Sequence, residues 1–356
     1  MSIDMTEPRA AENFTETIQM TETPDRDLRA QAFAEAGARL DQVLVELRRV
    51  IVGQERVLER VLVGLLANGH CLLEGVPGLG KTLTVSTLSK TLGGTFTRIQ
   101  FTPDLIPSDI VGTRIYRPST ETFDVELGPV FANFVLADEI NRAPAKVQSA
   151  LLEVMGERQV SIGGVTHKVP SPFLVLATQN PIESEGVYPL PEAQRDRFLM
   201  RIPVDYPTGA EEHEIVNRVS GTLATPTRLL DTEDVAALQA VAASVTVAPE
   251  VLDYAVRLVL ATRHPEEHEL RELEGLLAYG ASPRASIGLV AAGRALALLR
   301  GRSYLLPQDI YDIAYDVLNH RLVLSFDAVA DGVSVDDVLV ATLTKVGAPR
   351  VQPSAR

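Results

Sequence analysis

Tryptophan is absent from this 356-residue sequence, and aromatic residues together make up only 5% of it. Proteins that stack single-stranded bases on aromatic rings need such residues, so the composition disfavours that class of protein. The single cysteine, Cys71, cannot form a disulfide within the chain, which suits a reducing compartment. No segment approaches the roughly 18 apolar residues that cross a membrane, and the acidic N-terminus lacks the features of a secretory signal. These absences predict a cytoplasmic protein.

The charge is strongly of one sign, with a formal net charge of −14 at pH 7. The phosphate backbone repels an acidic chain, so nucleic acid is a disfavoured partner. The apolar share of 46% and the charged share of 22% are ordinary for a soluble globular protein. A length of 356 residues predicts two or three domains.

Residues 1–28 are rich in Thr, Glu, Asp and Pro and show no periodic apolar pattern. Such a segment buries too little apolar surface to offset chain entropy, so we expect a disordered acidic N-terminal tail. Apolar spacings of three, four and seven then predict helices over residues 28–50 and 55–67.

Short apolar runs alternate with helical patterns in the next part of the chain. The predicted strands cover residues 71–74, 97–100, 133–138 and 173–178, with helices at 83–92 and 145–155 between them. This alternation predicts an α/β domain over residues 29–207, a three-layer arrangement with helices on both faces of a parallel sheet.

After residue 207 the strand patterns largely stop. The predicted helices cover residues 209–220, 233–244, 249–263, 283–300, 307–319 and 334–345. Several of them begin with clear start signals, such as the Ser-Pro at residues 282–283. Residues 208–356 are therefore predicted to form an all-helical domain with a short C-terminal tail.

Residues 75–82 read G-x-x-x-x-G-K-[ST] and lie between a predicted strand and a predicted helix. Glycines let backbone N–H groups turn inward around phosphate groups, and the following helix adds the positive end of its dipole. In this motif Lys81 contacts the β- and γ-phosphates, and the Thr82 hydroxyl ligates Mg²⁺. The loop therefore predicts a site for ATP and Mg²⁺. Its predicted nucleotide-binding residues are Gly75, Pro77, Gly78, Leu79, Gly80, Lys81, Thr82 and Leu83.

Two acidic residues, Asp138 and Glu139, directly follow an apolar strand. In a parallel sheet ligands bind beyond the carboxyl ends of the strands, where carboxylates stay accessible. Asp138 is predicted to complete the Mg²⁺ shell, and Glu139 to orient and polarise the attacking water. Asn180 ends the next predicted strand, where its amide is predicted to lie between the carboxylates and the γ-phosphate.

With a phosphate-binding loop, an Asp-Glu strand, an Asn-ended strand and a helical domain in this order, the sequence resembles an AAA+ ATPase. More narrowly, it resembles the MoxR family over roughly residues 30–345. The matching stretches are VGQERVLERVLVGLLANGHCLLEGVPGLGKT, LGPVFANFVLADEINRAPAKVQSALLEVMGERQVSIGG, FLVLATQNPIESEGVYPLPEAQRDRF and SPRAS. The resemblance implies a homo-oligomeric ring, expected to be a hexamer, in which the helical domain is a lid over the nucleotide. It also implies chaperone-like remodelling, assembly or activation of client protein complexes, whose members often carry a von Willebrand A-type domain.

The resemblance implies roles for residues outside the phosphate-binding loop. Val52, Gly53 and Gln54 would lie beside the adenine. Asn180 would be the polar sensor of the γ-phosphate, and Arg284 would be the lid arginine that contacts the same nucleotide.

The resemblance further implies an arginine, from residues 192–198, that reaches into the neighbouring subunit's site. Arg197 is the first choice because it occupies the Asp-Arg-Phe position, and Arg195 is the alternative. A transferring phosphoryl group spreads negative charge over its oxygens, and one well-placed guanidinium is worth ~10³–10⁵ in rate.

Two other segments resemble the insertions of the helix-insert branch of AAA+ proteins. Residues 159–169 predict a hairpin, because alternating strands flank a Gly-Gly turn. Residues 102–129 resemble the other insertion. Contact with a client and local packing or subunit contact are equal alternatives for both segments.

Three alternative functions stay open beside the remodelling ATPase. A slowly hydrolysing, nucleotide-gated switch need not keep a water-polarising acid, so Glu139 counts against it. A nucleic-acid motor fits the helix-insert branch but not the acidic charge or the low aromatic content. A small-molecule P-loop kinase is disfavoured by the helical lid and by the arginine candidate for the neighbouring site.

Overall fold

The computed structural model describes residues 23–181, 186–221 and 224–349 of the chain. The first helix, α1, spans Thr23–Val50 and so begins before its predicted start at residue 28. The rest of the predicted N-terminal tail and the last seven C-terminal residues lie outside the described residues. Within the described ranges, no helix has both the length and the apolar composition needed to cross a bilayer.

Helices and short strands alternate through the first part of the chain, as the sequence predicts. After α1 they are α2 (Glu55–Leu66), β1 (Cys71–Glu74), α3 (Lys81–Thr91), β2 (Phe96–Gln100), α4 (Pro107–Val111), β3 (Gly112–Arg117), β4 (Thr122–Leu127), β5 (Phe134–Asp138), α5 (Ala145–Glu157), β6 (Gln159–Ile162), β7 (Val165–Lys168), β8 (Leu174–Gln179), α6 (Glu192–Arg195) and β9 (Met200–Pro203). The strand β9 is not among the predicted strands, because it has only four residues and one of them, Arg201, is charged.

Five strands form one parallel sheet in the order β2-β5-β8-β1-β9. Successive side chains of a strand face opposite sides of a sheet, and here both sides are apolar. In β1, Leu73 belongs to the core on one face, which includes residues of α1, α2 and α3, and Leu72 belongs to the core on the other, which includes residues of α4 and α5. The predicted three-layer α/β fold is confirmed.

The second part of the chain is mainly helical, which is also confirmed. Its elements are α7 (Gly209–Ser220), α8 (Thr232–Ala243), α9 (Pro249–Ala261), β10 (Leu277–Tyr279), α10 (Pro283–Leu299), α11 (Pro307–Leu318), β11 (Val323–Leu324), α12 (Phe326–Ala330) and α13 (Val335–Lys345). The antiparallel pair β10–β11 corrects the all-helical prediction. Strands of three and two residues are too short to show an alternating pattern.

The two predicted insertions contain antiparallel hairpins, β3–β4 and β6–β7. The turn of β6–β7 is formed by Gly163 and Gly164, whose φ angles are +58° and +85°. Such a turn favours glycine at both positions. A Cβ on Gly163 would lie 1.9 Å from Cδ of Arg114 in β3, so the two hairpins contact each other.

A buried histidine, His70, joins the sheet to α5. Its Nδ1 accepts a hydrogen bond from the Val175 N–H at 3.0 Å, and its Nε2 donates to the Met155 carbonyl at 3.2 Å. Both contacts together need a neutral ring with its proton on Nε2. Burial, reinforced by the charge of Arg158, lowers the pKa of His70 to about 3, and burial also lowers the pKa of His320 well below its ordinary value.

We predict that the free energy of unfolding falls as the pH drops from 7 to 5. In the unfolded chain both histidines bind protons near the ordinary pKa of about 6.5, whereas the folded rings stay neutral. Stability that is present above pH 6.5 is therefore lost below it, by at most about 1.4 kcal/mol per pH unit for each histidine. His70→Gln cannot titrate, so it should reduce this slope by about half between pH 6.5 and 5, as measured by urea denaturation.

The control is His213→Gln, which replaces an exposed histidine of α7. It should leave the slope as it is in the wild type. A His70→Gln slope equal to that of the wild type would contradict a buried, neutral His70.

Candidate active site

The phosphate-binding loop connects β1 to α3. Gly78 and Gly80 have φ angles of +88° and +72°, which residues with a side chain rarely adopt. A Cβ on Gly75 would come within 2.5 Å of the Val204 carbonyl oxygen, so the loop passes closely beside the end of β9. Because α3 begins at Lys81, the loop leads straight into a helix N-terminus, which favours anion binding.

The Lys81 side chain folds back on this loop, and its Nζ donates a hydrogen bond to the Gly75 carbonyl at 2.6 Å. Burial lowers the pKa of Lys81, and the charges of Asp138, Glu139 and Glu74 oppose that shift. The carboxylates therefore help to keep the ammonium group charged. The structure brings Lys81, Asp138 and Glu139 together, as the motifs predict.

Thr178 of β8 links the two acidic residues. Its hydroxyl donates a hydrogen bond to Oδ1 of Asp138 at 2.6 Å and accepts one from the Glu139 N–H at 2.8 Å. Only 1% of Thr178 is exposed, so both contacts lie in a dry environment where they are strong. Thr178 is not among the predicted site residues. The sequence feature that could have identified Thr178 is a polar residue one position before the end of an otherwise apolar strand.

Two side chains of the neighbouring strand β2 also bind the acidic pair. Arg98 donates to Oδ2 of Asp138 from Nη2 at 2.6 Å and from Nε at 3.0 Å. Gln100 donates from Nε2 to Oε2 of Glu139 at 2.9 Å. Neither residue is predicted from sequence, although they lie two positions apart and so share one face of β2.

Glu139 itself has an unusual backbone for a residue with a side chain. Its φ and ψ are 56° and 50°, in the left-handed region. Such a conformation costs of order 1–3 kcal/mol and is common at functional sites. The hydrogen bond from its N–H to Thr178 helps to hold it.

Asn180 directly follows β8 and is only 8% exposed. The preceding residue, Gln179, accepts a hydrogen bond through its carbonyl from the Gly75 N–H at 3.2 Å. The structure therefore puts Asn180 at the same edge of the sheet as the phosphate-binding loop.

Residues 52–54 lie beside the phosphate-binding loop. Gln54 donates from Nε2 to the Leu79 carbonyl at 2.7 Å, and a Cβ on Gly53 would lie 2.5 Å from Oε1 of Glu211 in α7. Val50, two residues before Val52, lines a cavity of about 490 Å³. The other walls of this cavity include Arg49, Leu83, Ser86, Lys90 and Arg218. A cavity of this size suits a small ligand.

The two candidate arginines for the neighbouring site differ in exposure. Arg197 is exposed, and its Nη1 donates to the Leu152 carbonyl of α5 at 2.6 Å. Arg195 is partly buried and is close enough to His320 to influence its pKa. Arg197 is therefore the more accessible of the two at the surface of the chain.

Arg284 lies in the first turn of α10 and is largely exposed. Its Nη1 is 3.8 Å from Oδ2 of Asp196, the residue between the two candidate arginines. In the described parts of the chain, no hydrogen bond or ion pair connects Arg284 or Arg197 to Lys81, Asp138 or Glu139. These two predicted residues therefore stand apart from the rest of the site within one chain.

Comparison with known proteins defines the class of protein. Residues 70–200 match the family described as "ATPase family associated with various cellular activities (AAA)", and residues 272–341 match the AAA lid domain. The fold is thus that of an AAA+ ATPase with a helical lid.

The relatives narrow this class. Chaperone MoxR1 of Mycobacterium tuberculosis is 59% identical over 312 residues, which cover 88% of this chain and 83% of that protein. Protein MoxR of Paracoccus denitrificans is 36% identical over 81% of this chain and 89% of its own length. A candidate ATPase from Cytophaga hutchinsonii with a crystal structure is 45% identical, with a TM-score of 0.85 over 92% of this chain and 98% of that one. The chain belongs to the MoxR family of AAA+ ATPases.

We predict that Thr178→Val lowers the ATPase rate measured with Mg²⁺ by about 10- to 100-fold. Losing a residue that orients a metal ligand usually costs this much, and Asp138 is the ligand that the sequence predicts. Valine has the shape of threonine but cannot donate to Asp138 or accept from the Glu139 N–H. The ATPase rate is measured against Mg²⁺ concentration, and the Mg²⁺ concentration for half-maximal rate should rise.

Thr178→Ser is the matched control, because it keeps the hydroxyl and loses only a methyl group. Its rate should stay within a few-fold of the wild type. Equal rates for the valine and serine variants would show that the hydroxyl does not position the acidic pair.

Proposed function

We propose that the chain binds ATP with Mg²⁺ and hydrolyses its β–γ bond at the interfaces of a homo-oligomeric ring, six subunits being the family expectation. The observation that carries this proposal is the pair Asp138 and Glu139, bridged by Thr178 beside Lys81. A switch that only binds nucleotide does not need a fixed water-polarising carboxylate. The geometry therefore favours hydrolysis.

The residues present fit both ATP and Mg²⁺. The glycine loop and Lys81 would hold the phosphates, and residues 52–54, which contact that loop through Gln54, would lie beside the adenine. The Thr82 hydroxyl and the Asp138 carboxylate supply oxygen, which Mg²⁺ prefers. The bound ion would neutralise charge on the β- and γ-phosphate oxygens.

Glu139 would orient the attacking water and accept its proton. Its Oε2 accepts a hydrogen bond from Gln100 at 2.9 Å, which fixes the direction of the carboxylate. A third of the Glu139 side chain is exposed, so it remains accessible to water. Asn180, at the same edge of the sheet, would contact the γ-phosphate and the attacking water.

Two arginines would complete the site. Arg197 would reach the γ-phosphate bound by the neighbouring subunit, and its exposure supports that role over Arg195. Arg284 would contact the nucleotide of its own subunit from the lid. Both would stabilise the charge that develops on the transferring phosphoryl group.

The work done by hydrolysis would be remodelling, assembly or activation of a client protein complex in the cytoplasm. A relative that covers most of this chain bears the name chaperone, which supports this role. Exposed apolar side chains on the β3–β4 hairpin, among them Tyr116 and Phe123, offer a surface for a client. A protein with a von Willebrand A-type domain is the client that the family suggests.

We predict that ATPase activity per chain rises with protein concentration, because each site needs the neighbouring Arg197. Arg197→Ala and Glu139→Gln should each be inactive, the first lacking the arginine and the second lacking the acid. Mixing the two variants should restore part of the activity, because a site with Glu139 can then adjoin a subunit with Arg197. Steady-state phosphate release is measured for the wild type, for each variant and for the mixture.

Glu139→Gln should still bind ATP, which a fluorescent ATP analogue can show. Activity per chain that is independent of concentration, together with an active Arg197→Ala variant, would mean that one subunit holds a complete site. The ring mechanism would then be wrong, even if the chain hydrolyses ATP.

A further inference from the structure

The segment that carries Arg197 is bound on one side by the sheet. The Leu199 N–H donates to the His70 carbonyl at 2.8 Å, and Phe198 is fully buried against the core between α5 and the sheet. These contacts hold the segment to the α/β domain.

The lid also binds this segment, through two residues that follow α11, His320 and Arg321. His320 Nε2 donates to the Phe198 carbonyl at 3.1 Å, and Arg321 donates to that carbonyl from Nη2 at 2.6 Å and to the Leu199 carbonyl from Nη1 at 3.1 Å. Arg321 is largely buried, so these bonds are shielded from water. The backbone next to Arg197 is therefore held by the lid.

The carboxylate of Asp196 contacts three residues of the lid. Its Oδ1 accepts a hydrogen bond from Arg321 Nε at 2.8 Å, and its Oδ2 accepts one from the Ser282 hydroxyl at 3.0 Å. Arg284, two residues after Ser282, has its Nη1 3.8 Å from the same Oδ2. Arg321 and Ser282 are thus within hydrogen-bond distance of Asp196, whereas Arg284 is more distant and its side chain is 56% exposed.

We propose that Asp196 is a positioning residue that connects the two arginines of the mechanism. It would pass the state of the nucleotide sensed by Arg284 in one subunit to Arg197, which acts in the next subunit. This inference rests on the proposed action of Arg197 across the interface.

The physical basis is competition for one carboxylate. Arg284 cannot pair fully with Asp196 and with the phosphates of its own nucleotide at the same time. When Arg284 binds the nucleotide, Asp196 keeps Arg321 and Ser282, and the charge balance beside Arg197 changes. A coupling between sites of this kind typically changes affinity by about 5- to 150-fold.

The test is a mixing experiment in which donor subunits carry Glu139→Gln, so that they bind ATP but do not turn it over. Wild-type subunits next to them depend on the donor's Arg197. Three donors are compared: Glu139→Gln alone, Glu139→Gln with Asp196→Asn, and Glu139→Gln with Asp316→Asn. The ATPase rate per wild-type chain is measured as the fraction of donor rises.

Asp316→Asn is a matched control. Asp316 of α11 also joins the lid to the α/β domain, since it accepts from Arg56 Nη2 at 2.5 Å and Arg60 Nε at 2.8 Å of α2. In the parts of the chain that the structure describes, its hydrogen bonds go to Arg56 and Arg60 and not to residues 195–199. Both variants remove one charge from a carboxylate that binds two or more partners across the same two domains.

Donors with Asp196→Asn should lower the wild-type rate at least about 5-fold relative to donors with Glu139→Gln alone, whereas Asp316→Asn donors should not. ATP binding and ring assembly of the donors, measured by a fluorescent ATP analogue and by light scattering, should be unchanged. Asp196→Glu in the donor should restore much of the rate, because it keeps the carboxylate.

Equal rates with all three donors would overturn the proposal. An equal loss with Asp196→Asn and Asp316→Asn would also overturn it, because the effect would then be general loosening of the lid. If either variant does not assemble, Ser282→Ala and Arg56→Gln replace them, since each removes one partner of the same carboxylates. A fourth donor with Glu139→Gln and Arg197→Ala distinguishes a failure of the Asp196 proposal from a failure of the proposed action of Arg197 across the interface. If this donor supports wild-type turnover fully, the action of Arg197 across the interface is itself wrong.

Discussion

The carboxyl edge of the parallel sheet is the place where this fold can hold charge beside a nucleotide. In β5, Leu136 is buried on one face and Ala137 on the other, so an unpaired carboxylate within the strand would cost several kcal/mol. Asp138 is the first residue at which the strand can carry one. Thr178 is polar and fully buried, which is tolerable because it both donates to Asp138 and accepts from the Glu139 N–H. The contact that satisfies Thr178 is therefore also the one that fixes the two acids.

This constraint explains what could be predicted from sequence. The glycine loop with Lys81 and the apolar runs before Asp138 and Asn180 are local patterns. The predicted strands 133–138 and 173–178 agree with β5 and β8 to within one residue at each end. Arg98 and Thr178 are 40 residues away from Asp138 in opposite directions along the chain. Their roles follow from β2 and β8 lying on either side of β5, and sheet order is a property of the whole fold that chain order does not reveal. Two short strands are not predicted from the sequence: the apolar pattern of β9 is interrupted by Arg201, and β10 has only three residues.

The lid and the sheet are joined by apolar packing and by charge, and the two kinds of contact have different consequences. Apolar packing of α10 against α1 and α2 supplies non-directional burial, which tolerates small shifts. Buried ion pairs lose much of their Coulomb energy to desolvation, so they add little net stability, but they require a defined geometry. Arg60 with Asp316 is such a pair, and in Arg321 with Asp196 the arginine is buried while the carboxylate is partly exposed. They determine where the lid sits more than how strongly it is held.

Two ion clusters that join the lid to the α/β domain, at Asp316 and at Asp196, differ in how many arrangements they allow. The Asp316 side chain is fully buried and has both its arginines within 2.8 Å, so every partner is already engaged. The Asp196 side chain is 21% exposed and has one partner, Arg284, at 3.8 Å and open to solvent. Coupling between distant sites is carried by elements that have two discrete arrangements, and a cluster whose partners are all engaged offers only one. The lid is therefore anchored at Asp316 and adjustable at Asp196. The adjustable cluster lies next to the residue, Arg197, that a second subunit would sense.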